Sequence, residues 1–131
     1  MKILIAEDDL ASRRLIYMFM SKYGQCDITV NGAEAIEAFI IALEDGEAYD
    51  LVCLDIMMPK LDGLKVLSTI RDLEKEKNIK DVERSKIIMM TALNDTRTIT
   101  NSFNSGCEAY AAKPIDLNKL EEVMKKLGFV E

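Results

Sequence analysis

Histidine and tryptophan are absent from the 131-residue chain, and it holds only two prolines and three cysteines. Without an imidazole, histidine-based general acid–base catalysis and Ser-His-Asp or Cys-His nucleophile activation are excluded. Chemistry here must rest on carboxylates, hydroxyls, lysine and metal. Cys26, Cys53 and Cys107 are widely spaced, form no Cys-x-x-Cys and have no histidine to complete a zinc site, so they read as reduced thiols. Basic blocks are missing as well: 17 Lys plus Arg stand against 23 Asp plus Glu, a net charge of −6, and direct nucleic-acid binding is not expected. No long hydrophobic run occurs. The apolar start MKILIA runs into three acids, giving neither a signal-peptide core nor a membrane span, so the expectation is a cytoplasmic protein without membrane insertion.

The length fits one ordinary domain, and no repeat, low-complexity tract or linker divides it, so residues 1–131 are expected to form a single unit. Short Ile/Leu/Val-rich runs alternate with segments of helical period, the pattern of an α/β protein with a parallel sheet. Strands are expected at 2–6, 51–54, 86–90 and 109–112, with a weaker one near 27–30. The first, third and fourth lack polar alternation and should be covered on both faces. Helices are marked by Leu15, Met18 and Phe19; by Ile36, Phe39, Ile40 and Leu43; by Val66, Leu67, Ile70 and Leu73; and by Leu117, Leu120, Met124 and Leu127. A fourth helix in chain order, at 95–105, is poorest in apolar residues. The charged stretch 73–85 reads as a solvated helix end and loop.

In an open parallel sheet, ligands bind beyond the carboxyl ends of the strands. Polar residues collect there in this sequence: Glu7, Asp8 and Asp9 follow the first strand, Asp55 ends the third, Thr91 the fourth and Lys113 the fifth. Each has an ordinary structural reading, Asp9 as a helix N-cap, Thr91 as a strand end and Lys113-Pro114 as a turn. Jointly they suggest more. Glu7, Asp8 and Asp55 packed together would repel, and Mg²⁺, an oxygen-seeking cation held by one or two carboxylates plus phosphate, would relieve the repulsion. One carboxylate could then attack phosphorus while Lys113 and Thr91 meet the phosphoryl oxygens.

The stretches ILIAEDD (3–9), YDLVCLDIMMPKLDG (49–63), IIMMTA (87–92) and GCEAYAAKPID (106–116) make the chain resemble a response-regulator receiver domain of the chemotaxis-regulator type over essentially its whole length. The resemblance implies a flavodoxin-like receiver fold: a doubly wound five-stranded parallel sheet of order 2-1-3-4-5 with five helices. It also implies a phosphoprotein of two-component phosphorelay signal transduction, in which Asp55 is the phosphoacceptor. Asp8 and Asp55 would bind Mg²⁺ directly, Glu7 through a metal-bound water and Met57 through its backbone carbonyl, with Mn²⁺ or Ca²⁺ as substitutes. Thr91 would contact the phosphoryl group, Lys113 would pair with it, and Tyr110 would be the aromatic switch; an ordinary strand tyrosine is the alternative for Tyr110. Pro114 implies a cis bond after Lys113, while Pro59 and Gly63 suit the loop after the acceptor.

The implied donor is a phosphohistidine on a sensor histidine kinase or histidine phosphotransfer protein. The implied output is a changed helix 4/strand 5/helix 5 face that controls a downstream protein target, from a monomer or a phosphorylation-dependent dimer. Such a chain is a regulatory phosphoacceptor that catalyses only its own phosphorylation and dephosphorylation. The alternatives are a receiver excised from a longer regulator, a Mg-dependent aspartyl phosphatase, which would need an acid where Met57 stands, and a flavodoxin-like carrier, which the acidic first loop disfavours. Met57 and Leu93 are apolar where receivers often carry polar groups that influence attacking water, so slow loss of the phosphoryl group is expected.

Overall fold

The computed structural model describes residues 1–92 and 96–130. In chain order the elements are β1 (Lys2–Ala6), α1 (Leu10–Met20), β2 (Gln25–Thr29), α2 (Gly32–Glu44), β3 (Leu51–Asp55), α3 (Gly63–Glu76), β4 (Lys86–Thr91), α4 (Thr96–Asn104), β5 (Ala109–Ala112) and α5 (Leu117–Lys126). All strand pairings are parallel, and the sheet order is β2-β1-β3-β4-β5. The expected doubly wound architecture is therefore the one observed.

Because successive strand side chains point to opposite faces, the uninterrupted apolar runs feed two cores. Leu4, Val52, Leu54, Ile87 and Met89 pack with Phe39, Val66, Leu67 and Ile70 beneath α2 and α3. Ile3, Ile5, Leu51, Cys53, Ile88 and Met90 pack with Ile16, Phe19, Leu120 and Met124 beneath α1 and α5. Complete burial of each large side chain contributes about 1.5–3 kcal/mol, so the two layers fix where the strands end. The strand ends then carry the polar groups.

Carboxylates and amides start the helices. Asp9 accepts from Ser12 N at 2.9 Å, Asn31 from Glu34 N at 2.9 Å, Asp62 from Lys65 N at 2.9 Å and Asp116 from Asn118 N at 2.9 Å. Each cap is worth about 1 kcal/mol. Gly63 opens α3 where a Cβ would lie 2.3 Å from the Asp55 carbonyl oxygen, so only glycine lets the helix start against the end of β3. The peptide bond between Lys113 and Pro114 is cis, as the resemblance implied.

Several details differ from the sequence pattern. β2 begins two residues earlier than expected because, at the sheet edge, its place is set by pairing with β1 rather than by apolar periodicity. Asp27 within it accepts a hydrogen bond from Tyr49 Oη at 2.7 Å. Met18 and Leu117 keep helical spacing with core residues yet remain exposed, on the flanks of α1 and α5.

The charged stretch at 73–85 is only partly solvated, since Glu74 and Ser85 are buried. Arg71, itself buried, joins Glu74 at 2.6 Å, Glu108 at 2.6 and 2.8 Å, and the carbonyls of Ser85 and Gly106, both at 2.9 Å. This network ties α3 to the beginnings of β4 and β5. Removing Arg71 would strip the buried Glu74 of its ion-pair partner and leave Glu108 to Arg84 at 3.4 Å, a loss of about 3–5 kcal/mol. Urea unfolding of Arg71→Met should show a fall of that size, whereas Glu121→Ala, which breaks the exposed pair with Lys125, should change stability by under about 0.5 kcal/mol.

Candidate functional site

The carboxyl edge of the sheet gathers side chains from four strands. Glu7 leaves the end of β1 with its backbone N–H donating to Thr29 O at 3.1 Å, and its side chain is fully buried. Asp55 closes β3 and is 2% exposed. Asp8 lies at the surface beside them, and one carboxylate oxygen from each of Glu7, Asp8 and Asp55 falls within 4.8 Å of the other two. Thr91, buried at the end of β4, accepts the backbone N–H of Lys113 at 2.8 Å through its carbonyl. That bond brings the lysine across to the acids.

The Lys113 ammonium forms ion pairs with both buried carboxylates, with Asp55 Oδ2 at 3.2 Å and with Glu7 Oε1 still closer. Glu7 Oε1 is shielded from water, and no hydrogen bond of normal geometry reaches it beyond the close Lys113 contact. Glu7 Oε2 lies 3.4 Å from the Asp9 N–H, and the backbone N–H of Met57 donates to Asp55 Oδ1 at 3.2 Å. The loop after Asp55 turns sharply at Lys60, whose φ of 69° is in the left-handed region. Strained backbone of this kind clusters around functional sites.

One ammonium cannot neutralise three carboxylates. Burial, reinforced by the adjacent Glu7 carboxylate, pushes the Asp55 carboxyl up to about 7 against the pull of Lys113. Glu7 responds oppositely: burial raises its pKa, but contacts with Asp55, Lys113 and the Asp9 N–H outweigh that and leave it below its ordinary value. Burial likewise lowers the Lys113 pKa, but its two carboxylate partners raise it further and prevail. The cluster holds an excess of anionic oxygens, one lacking a well-formed hydrogen bond. A hard divalent cation fits that donor set.

The structure thus brings together Glu7, Asp8, Asp55, Lys113 and the backbone of Met57, with Thr91 at the adjoining strand end. Tyr110 stands apart on β5: its ring is 41% exposed and meets Phe103 of α4 edge-on at 6.1 Å. Met57 is 64% exposed, because only its backbone turns toward Asp55. Leu93 lies outside the described residues. Arg13 was missed by sequence reasoning; it reaches back to the Glu7 and Asp8 carbonyls, a contact that no local motif announces.

The chain and its fold have known relatives. The family model for the response regulator receiver domain matches residues 3–125. Hybrid signal transduction histidine kinase G of Dictyostelium discoideum is 31% identical over 98% of this chain, and the probable transcriptional regulator ycf27 of Cyanophora paradoxa is 35% identical over 96%. The match spans 4% and 47% of those proteins' own lengths. Among solved structures, a chain of the CheX-CheY-BeF3-Mg+2 complex from Borrelia burgdorferi is 28% identical with a TM-score of 0.78, covering 96% of this chain and 88% of that one. A chain of the Saccharomyces cerevisiae co-crystal of the histidine phosphotransfer signaling protein Ypd1 and the receiver domain of Ssk1 is 25% identical, with a TM-score of 0.81 and coverages of 98% and 88%.

The raised Asp55 pKa has a defined consequence for stability. Between about pH 4 and 7 the folded chain keeps a proton that the unfolded Asp has released, so this group lowers stability as pH rises through that window. In the presence of chelator, Asp55→Asn should be more stable than the parent at pH 8 by about 1–3 kcal/mol, with the gap closing toward pH 5. Urea unfolding at the two pH values measures it, and a pH-independent gap would contradict the stated cause.

Proposed function

Because the chain belongs to the response regulator receiver domain family, matched over residues 3–125, we propose that it works as one receiver unit over 1–131 and as a phosphoacceptor switch in two-component signalling. Asp55 is the acceptor. The observation that carries this reading is its placement: a buried carboxylate at the end of a central strand, paired with Lys113 and clustered with Glu7 and Asp8.

In the proposed reaction an ionised Asp55 oxygen attacks the phosphorus of a phosphohistidine. An O–P bond forms, the P–N bond breaks, and the imidazole nitrogen leaves and takes up a proton. Asp8 and Asp55, with Glu7 through water and Met57 through its carbonyl, would hold Mg²⁺, which would neutralise charge on the phosphoryl oxygens when bound. Lys113 releases part of its charge from Asp55 to the incoming phosphoryl group and remains anchored by Glu7. Thr91, on the adjoining strand, supplies a hydroxyl to a phosphoryl oxygen. The two carboxylates thus divide the work, Asp55 reacting and Glu7 holding the cation and lysine in place.

The donor class we propose is a histidine kinase or histidine phosphotransfer protein, a reading supported by the hybrid kinase relatives and by the Ypd1 co-crystal neighbour. The signal would leave through β5 and its flanking helices. A groove of about 320 Å³ runs between β5 and α5, lined by Tyr110, Ala111, Ile115, Lys119, Leu120 and Val123, and lies apart from the carboxylate cluster. An inward turn of Tyr110 would alter one wall of that groove and the edge-on contact with Phe103, a population shift between two side-chain positions. The chain acts as a regulatory phosphoacceptor that catalyses only its own phosphorylation and dephosphorylation.

Incubation with acetyl phosphate or phosphoramidate and Mg²⁺ should add one phosphoryl group to the protein, read by intact mass, and Asp55→Asn should gain none. Equal labelling of the two proteins would refute the assignment of the acceptor. The apolar, exposed Met57 side chain offers no group to orient attacking water, so the acyl phosphate should be long-lived. Met57→Asn should shorten its lifetime several-fold when phosphate release is followed after donor removal, and an unchanged lifetime would remove Met57 from the explanation.

A further inference from the structure

The turn from β1 into α1 carries an unusual load. Within three residues it supplies the buried Glu7, the exposed Asp8 and the helix cap Asp9, and the two clustered carboxylates must converge from adjacent peptide units. Adjacent residues leaving a strand do not naturally point to one place, so the backbone between them needs support. On its own side of the loop, Glu7 N–H is tied to Thr29. The opposite side is held from α1.

Arg13 closes the first turn of that helix, half-buried, with its backbone N–H donating to Asp9 O at 2.9 Å. Its side chain folds back along the helix start, and Nη1 donates to the carbonyl oxygen of Glu7 at 3.3 Å, with that of Asp8 at 3.5 Å. A single planar guanidinium nitrogen therefore spans the two peptide units that bear the carboxylates. Arg14, the next residue, points to solvent and carries the same charge.

We propose that Arg13 is a positioning residue for the divalent-cation site, clamping the Glu7 and Asp8 carbonyls so that both carboxylates face one point. This rests on the reading of the acidic cluster as a Mg²⁺ site. The chemistry separates the clamp from simple electrostatics by sign. A guanidinium close to the cluster repels a cation, so if charge were its whole contribution, deleting it would tighten Mg²⁺ binding. A clamp acts in the other direction: once the two carbonyls are released, the loop can rotate and the carboxylates diverge. Groups that orient ligands without touching the metal commonly change affinity by about tenfold or more when removed. Lysine would keep the charge but lacks the rigid planar fork.

The test is isothermal titration calorimetry of Mg²⁺ into the unphosphorylated full chain at fixed ionic strength, with Arg13→Ala, Arg13→Lys and Arg14→Ala beside the parent. Arg13→Ala should weaken Mg²⁺ binding by about tenfold, Arg13→Lys should recover part of the loss, and Arg14→Ala should leave the dissociation constant unchanged. Urea unfolding of all three variants should keep the parent's cooperative slope, which a generally disturbed fold would not permit. Should the alanine variant lose its cooperative melt, Arg13→Lys and Arg14→Ala still decide the matter, since a clamp separates them and charge alone ranks both near the parent. Unchanged or tighter binding in Arg13→Ala, or equal loss in Arg14→Ala, would overturn the clamp while leaving the Mg²⁺ site standing. Absence of any Mg²⁺ binding by the parent would overturn the site itself, and the role of Arg13 with it.

Discussion

Lys113 pairing with two buried carboxylates is the interaction on which the site depends. Glu7 and Asp55 come from different strands, are both shielded from water and would repel each other with nothing between them. The lysine that separates them arrives on a third strand, β5, whose end is fixed by the bond from Lys113 N–H to Thr91 O. One ammonium offsets part of the negative charge and leaves the rest as attraction for a cation. The site is therefore left with an excess of negative charge, which a hard divalent cation would offset.

The rest of the fold serves to hold this arrangement against its own repulsion. Two apolar layers fix the strand ends, Gly63 lets α3 start against Asp55, and Asp9 and Arg13 shape the first loop. At the opposite edge of the sheet, the Arg71 network joins α3 to the starts of β4 and β5, the strands that end in Thr91 and Lys113. Its position makes it an anchor for the base of those strands, while Tyr110 and Phe103 remain accessible near the groove between β5 and α5.

Much of this was legible in the sequence because the information is local. The uninterrupted apolar runs of β1, β3 and β4 reported strands covered on both sides, and acids, hydroxyl and lysine immediately after strands reported the site. What stayed hidden was long-range or directional. Glu74 and Glu108 look like surface acids until Arg71 is found between them, 3 and 37 residues away in sequence. Arg13 follows the acidic loop as an ordinary helix-surface arginine, and only the fold shows its side chain turning back to two carbonyls. That the Met57 side chain faces outward while its backbone turns to Asp55 is equally hidden, because composition does not say which way a side chain points. The edge strand β2 was misplaced because polar residues are tolerated where only one neighbour pairs.

The central claim is that one particular carboxylate among 23 acidic residues accepts the phosphoryl group. Borohydride reduction of the acyl phosphate formed with a small-molecule donor and Mg²⁺, followed by peptide mass spectrometry, identifies the modified residue directly, since a phosphorylated aspartate is reduced to homoserine. The account predicts homoserine at position 55 and nowhere else. Reduction at Asp8, Asp9 or any other acid, with Asp55 intact, would contradict it.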